Sequence, residues 1–282
     1  MTAAPAGGVG LRLESVVHIY PAVGKDVDDV VALRGVDLDV DPGEFVALLG
    51  PSGSGKSTVL GLLAGVLRPS AGRVMIGAHD IGRMAPRSLA RLRGELVGTV
   101  LQNPTRNLLP YATVRQNVQF GAGVRTPAER PDELLDQLGL AHLQDRVAGR
   151  LSGGEQQRVA IAAAVCAGAG LLLADEPTSQ LDTAGRQEVV DLLEQVNRNL
   201  GATVVLVTHD PEVAGHSART ITIRDGRVGA EGRHGREYAV IGRDGALQLP
   251  PDVLEQFPPG TLLEVSRHPD SIVLSTRRAE SP

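Results

Sequence analysis

The nine residues Gly50-Pro51-Ser52-Gly53-Ser54-Gly55-Lys56-Ser57-Thr58 constrain this chain more than any other segment. They follow an apolar run at 45–49 and open a helical pattern at 58–67, the strand–loop–helix setting of a phosphate-binding loop. Glycines at 50, 53 and 55 let the backbone curl so that successive N–H groups face inward onto phosphate oxygens, and the following helix adds the positive end of its dipole. Ser52, Ser54 and Thr58 complete the cradle. Lys56 is then placed to reach β- and γ-phosphates, and the Ser57 hydroxyl to ligate Mg²⁺. Lysine occurs elsewhere only at Lys25, every other basic side chain being arginine. Compositional bias accounts for that on the surface, and Lys56 stands where a compact ammonium serves and a planar guanidinium does not.

A second chemical element lies at 171–176, Leu-Leu-Leu-Ala-Asp-Glu, an apolar strand ending in two carboxylates. Neighbouring side chains on a strand point to opposite sides, so the two acids take different tasks. Asp175 suits a Mg²⁺ shell and Glu176 suits a general base for an attacking water. A third element, Leu151-Ser152-Gly153-Gly154-Glu155-Gln156-Gln157-Arg158, reads two ways. Ser152 with Glu155 three residues on is a capping box, while Gly153 and Gly154 leave a helix N-terminus bare for an anion.

Further apolar runs at 11–20, 98–101, 203–207 and 220–224 alternate with helical patterns at 155–167 and 185–200. This rhythm predicts an α/β domain around a parallel sheet whose strands are buried on both faces. The stretch 86–149 reads as a helical insertion, 229–235 as a Gly-rich linker, and 1–10 as a flexible N-terminus. Twenty-eight Lys and Arg against 33 Asp and Glu give a formal charge of −5, which argues against a surface that wraps nucleic acid. The single cysteine, Cys166, fits a reducing compartment. No signal peptide is visible, and no run of about 18 apolar residues predicts a membrane span.

The order of these motifs makes residues 11–231 resemble the nucleotide-binding domain of the ABC ATPase superfamily, an α/β P-loop NTPase fold with a parallel sheet core and a helical insertion. The resemblance implies ATP and Mg²⁺ as cofactors, and further site residues. Tyr20 falls at the position of the aromatic that stacks on adenine. Gln102 looks like the glutamine that contacts Mg²⁺ and links the site to the helical insertion. Ser152, Gly153 and Gly154 look like the signature that grips the γ-phosphate held by the opposite subunit. Asp182 falls at the D-loop position, and His209 matches the histidine that orients the γ-phosphate and water. Within the superfamily the likeness is to ATPases of the macrolide-export and lipoprotein-release type. It implies a separate integral-membrane permease as partner, a second copy as the other half of an ATP sandwich, and a place on the cytoplasmic face of the membrane. The implied role is to power export or mechanotransmission; the alternative is regulation of cell-envelope enzymes through a permease-like partner without transport.

Three departures from the family pattern stand out. Two extra residues fall around Pro104-Thr105-Arg106, Ala163 stands where arginine is usual, and Ser179-Gln180 replaces a Gly-Asn or Gly-Ala type pair. All residues assigned to the chemistry are present, so an active ATPase is expected. The segment 232–282 reads as a small β-rich extension: strands at 237–241 and 246–249 around Asp244-Gly245, a short helix from Pro251, and strands at 261–266 and 271–276. It resembles an AbrB-type swapped-hairpin domain, which implies a dimerisation module; the alternatives are a hairpin packed on its own domain and DNA binding. Six arginines and seven acids from Gly232 onward lack the basic face that DNA requires.

Overall fold

The computed structural model describes residues 7–22, 28–122, 130–233, 236–243, 245–249, 251–258 and 260–276. In chain order the elements are β1 (Leu11–Tyr20), β2 (Val30–Val40), β3 (Phe45–Leu49), α1 (Lys56–Leu63), β4 (Ala71–Ile76), β5 (His79–Asp80), α2 (Pro86–Leu96), β6 (Val97–Val100), α3 (Val114–Ala122) and α4 (Arg130–Gln137). There follow α5 (Gly153–Val165), β7 (Leu171–Asp175), α6 (Thr183–Leu200), β8 (Thr203–Thr208), α7 (Pro211–Ala214), β9 (Arg219–Arg224), β10 (Arg227–Arg233), β11 (Arg236–Ala239), α8 (Pro251–Gln256), β12 (Glu264–His268) and β13 (Ser271–Ser275).

The main sheet has seven strands in the order β11-β10-β9-β3-β8-β7-β6. Its pairings from β9 through β6 are parallel, whereas β10 and β11 are added antiparallel. Alternation along β7 shows why these strands read as continuous apolar runs. Leu172 and Ala174 enter one core with α3 to α6, while Leu171 and Leu173 enter a second core with α1 and α2. Both faces are covered, so neither parity tolerates a polar residue.

The run at 11–20 does not join this sheet. It forms a separate antiparallel sheet, β2-β1-β4-β5, whose other strands the apolar runs do not mark. In β2 the positive-φ Gly35 shifts the buried phase from Leu33 to Val36, and beyond it Asp37 and Asp39 alternate with buried Val36, Leu38 and Val40, so no continuous apolar run marks the strand. The expected helical insertion at 86–149 is also interrupted. β6 lies within it and pairs with β7 in the main sheet, so the insertion proper begins beyond Val100.

Residues 229–233 do not form a linker. Asp225 and Gly226, at φ 49° and 72°, make the tight turn of a β-hairpin, and β10 runs on from it through Arg233. A boundary between 231 and 232 would therefore cut β10, and the sheet ends only after β11. Residues 7–10 are likewise tied down. The Val9 amide donates to Gly170 O at 3.0 Å, and the Gly10 carbonyl accepts from Gly77 N at 2.8 Å.

Beyond β11 the strand expected at 246–249 is reduced to a single bridge, Ile241 to Leu247. Asp244 of the expected Asp-Gly turn lies outside the described residues. The expected short helix is α8, and the two last strands pair as an antiparallel hairpin, β12–β13, with no third strand among the described residues.

Candidate active site

The phosphate loop joins β3 to α1, and its conformation explains its glycines. A Cβ at Gly50 (φ 152°) would lie 2.2 Å from Ile223 O, and one at Gly55 (φ 107°) 2.7 Å from Leu33 Cδ2 and 2.9 Å from Ala32 O. No L side chain fits either place. The β9–β10 turn braces the loop from behind, since Gly226 N donates to Ser54 O at 3.0 Å. Gly55 is the N-cap of α1 and offers no side chain, so the first N–H groups of that helix have no cap of their own. Lys56 is buried, with its ammonium donating to the carbonyls of Gly50 (2.6 Å) and Pro51 (2.8 Å). Burial holds its pKa below the ordinary lysine value, against the opposing pull of Glu176 and Asp175. Two polar atoms in this region, Ser54 Oγ and Asp175 Oδ1, are buried without a hydrogen-bond partner.

Asp175 ends β7 and faces the loop, where the Ser57 hydroxyl bonds its carboxylate. Its pKa is raised first by burial and then by the charge of Glu176, and the Ser57 bond and Lys56 pull the other way. Two hard oxygen donors, one with an orphaned lone pair, are a donor set suited to a hard divalent cation such as Mg²⁺.

Glu176 adopts φ 48°, in the left-handed region, which costs a non-glycine residue about 1–2 kcal/mol. Its Oε2 lies 2.6 Å from His209 Nδ1, and its amide donates to Val207 O at 2.9 Å, so the ends of β7 and β8 hold Glu176 and His209 together.

Gln102 Nε2 donates to Ser179 Oγ at 3.1 Å, and that hydroxyl donates to Glu176 O at 3.0 Å. The residue that departs from the usual D-loop pair thus links Gln102 to the turn carrying Glu176. Asn107 folds the intervening insertion back, accepting from Leu101 N at 3.0 Å and donating to Thr99 O at 2.9 Å. The segment Pro104–Arg106, around which the two extra residues fall, forms one 3-10 turn capped by Asn103. Ala163 is buried in the core that α5 shares with α3, and a Cβ at Gly121 would sit 2.3 Å from Ala163 O, so the close crossing of these helices requires glycine at 121. Tyr20 is partly exposed, its ring edge-on to His18 and its hydroxyl 3.2 Å from Thr58 Oγ1.

The signature residues stand apart from this cluster. Ser152 caps α5 in a complete capping box: Glu155 Oε2 accepts from Ser152 N at 2.8 Å, and Glu155 N donates back to Ser152 Oγ at 3.2 Å. Gly153 and Gly154 rest against Leu181 and Gly185, at the start of α6. Asp182 caps α6 by accepting from Gly185 N at 2.9 Å. So Tyr20, the phosphate loop, Gln102, Asp175, Glu176 and His209 form one connected region, and Ser152, Gly153, Gly154 and Asp182 form a second around two helix N-termini. Sequence reasoning missed Ser179, Asn107 and the turn at Gly226; only Ser179 had a signal, its departure from the family pair.

Comparison with known proteins agrees with this geometry. A family model described as ABC transporter matches residues 33–179. The lipoprotein-releasing system ATP-binding protein LolD of Anaeromyxobacter dehalogenans is 45% identical over 213 residues, 73% of this chain and 88% of that protein. The macrolide export ATP-binding/permease protein MacB of Marinobacter nauticus is 45% identical over 204 residues, 71% of this chain but 31% of MacB. Among solved structures, the dimeric ATP-binding cassette MJ0796, bound to ADP and Pi in a post-hydrolysis state, superposes with a TM-score of 0.70 at 34% identity, covering 81% of this chain and all of that one. Within the described residues no helix is long and apolar enough to cross a membrane. With its phosphate loop, acidic strand end, signature helix and histidine in one cassette fold, this chain belongs to the ABC transporter family, as one of its ATP-binding, ATP-hydrolysing subunits.

Proposed function

We propose that this chain hydrolyses ATP in a sandwich formed by two copies, and that closure of the sandwich drives a separate membrane permease in export or mechanotransmission. The observation that carries the reading is the convergence of Lys56, Ser57, Asp175, Glu176 and His209 at the ends of β3, β7 and β8.

In this reading the loop amides of Gly53 to Thr58 and the Lys56 ammonium hold the β- and γ-phosphates, while Tyr20 flanks the adenine. Lys56 exchanges its bonds to the Gly50 and Pro51 carbonyls for phosphate oxygens, and a buried cation there is worth more than the same charge in water. Ser57 and Asp175, with Gln102 nearby, are the residues that would hold Mg²⁺, which supplies charge neutralisation on the phosphates. Glu176 accepts the proton of the attacking water. His209, bonded to its carboxylate, fixes that carboxylate's direction and stands beside the γ-phosphate. Ser152, Gly153 and Gly154 of the second copy close over the nucleotide, and Asp182 sits at the seam. ATP thus acts as the joint between copies, and its cleavage releases them. The residues following β6 carry closure to the permease, placing the chain at the cytoplasmic face of the membrane.

The test is Glu176→Gln in the full-length protein. It is expected to bind ATP, persist as a nucleotide-dependent dimer, and hydrolyse at least about a hundredfold more slowly. When purified with ATP from solubilised membranes, it is expected to bring a permease with it. Rapid turnover by this variant removes Glu176 from the role of base, and a reproducibly empty preparation removes the permease.

A further inference from the structure

Among the described residues the β12–β13 hairpin is a sheet of two strands, and such a unit is marginal in water without further pairing or cover. Its register sets Val265 opposite Leu274 and Arg267 opposite Ile272. Directly opposed residues share a face, so Val265, Ile272 and Leu274 gather on one side, and they are 58%, 63% and 38% exposed.

The two outer edges differ. β12 carries Glu264, Arg267 and His268, whereas β13 reads Ser271-Ile272-Val273-Leu274-Ser275, with no charge and no proline. It lacks the devices by which sheet edges are normally guarded. It is also self-complementary. An antiparallel copy centred on Val273 places Ser271 opposite Ser275, Ile272 opposite Leu274, and Val273 opposite its own equivalent. The two-fold axis stands perpendicular to the sheet, so the apolar faces of both copies fall on the same side, and the contact closes as an isologous pair. The same operation on β12 would set Val265 against Arg267.

We propose that β13 of one chain pairs antiparallel with β13 of a second copy of this chain, giving a four-stranded sheet with Val265, Ile272 and Leu274 of both copies on one face. No exchange of strands is needed, since β12 and β13 already pair within the chain. A second copy is the occupant because the edge complements itself. The solved cassettes that this chain resembles are dimeric, so two tails travel on one particle. Five residues per strand fall short of the roughly 1,000 Å² of an independent interface. The pairing therefore adds to the contact between cassettes and keeps the two copies at high mutual concentration when ATP does not join them.

The test is sedimentation equilibrium of nucleotide-free full-length protein from micromolar to hundreds of micromolar, with hydrogen exchange of the β13 amides. The native chain is expected to dimerise. Val273→Asp and Val273→Lys, each placing like charges face to face at the axis, are expected to weaken dimerisation at least tenfold, and an equimolar mixture of the two to restore it. Val273 is 45% exposed, and its partner within the hairpin is Ser266, so neither change opposes a charge inside one chain. A native chain that stays monomeric overturns the proposal. With protected β13 amides the hairpin covers its own cassette, and with unprotected ones it awaits a different protein. A dimer indifferent to Val273→Asp, or a mixture that recovers nothing, overturns the two-fold through Val273. Since no nucleotide is present, none of these outcomes bears on the ATP sandwich.

Discussion

In the proposed cycle two helix N-termini are offered to phosphate, and they are finished in opposite ways. At α1 the cap is Gly55, with no side chain to give, and the buried Lys56 ammonium is satisfied only by carbonyls of its own loop. At α5 the cap is Ser152, closed by a full capping box with Glu155. The first end is built at the expense of local stability, with a desolvated cation, a left-handed Glu176 and an orphaned Asp175 oxygen close together. The second is stable as it stands. A half-site that waits for a partner subunit has to hold its shape alone, while a half-site that binds nucleotide in its own chain can leave groups for the ligand to satisfy.

Removing Lys56 breaks this contrast most sharply if it fails. Lys56→Ala is expected to lower the rate of hydrolysis by about a hundredfold or more, the scale seen when a preorganised charge-stabilising donor is lost. Its melting temperature is expected to stay level or rise, because the buried ammonium is an unfavourable feature of the folded chain. A large fall in melting temperature would place Lys56 among the structural residues and end the comparison.

The next effect is read in pH. Asp175 has a folded-state pKa raised above the ordinary carboxylate value, chiefly by burial, and only its ionised form is a ligand. Below that pKa the Mg²⁺ concentration needed for half-maximal activity is expected to rise about tenfold per pH unit, and above it to be flat. Assays across pH at several Mg²⁺ concentrations measure this. A requirement that does not change with acidification would take Asp175 out of the metal shell.

The smallest effect belongs to the signature. Ser152→Ala loses the cap and is expected to cost about 1 kcal/mol of stability, measured by denaturant unfolding. In the Glu176→Gln background it is also expected to loosen the ATP-dependent dimer. An unchanged dimer with the stability loss would leave Ser152 with its capping role only.

The legible part of this site was local. The phosphate loop, the Asp175-Glu176 strand end and the capping box each lie within nine consecutive residues or fewer, and each states its chemistry through spacing. The strands β1 and β3 were marked to the residue, because an apolar run bounded by turn residues is a signal carried by neighbours. β2 was not, since Gly35 shifts its phase and the alternating Asp37 and Asp39 leave no continuous apolar run. The Gly-rich stretch from 229 looked like an exit from the domain, for such composition is the same whether the chain leaves the sheet or runs on as a strand of it.

By itself the sequence determined that this chain is an ATP-binding subunit and which family's order of motifs it follows, and it singled out the residues proposed to face the phosphates. Only the tertiary structure decided what supports those residues. Gln102 reaches Ser179 from 77 positions away, and Gly226 braces Ser54 across the sheet. The run at 11–20 was assigned to its own antiparallel sheet by pairing with β2 and β4. The physical reason is the range of the interactions. Glycine conformations, caps and alternation are fixed between near neighbours, whereas hydrogen bonds between distant loops exist only once the sheet has brought strand ends together.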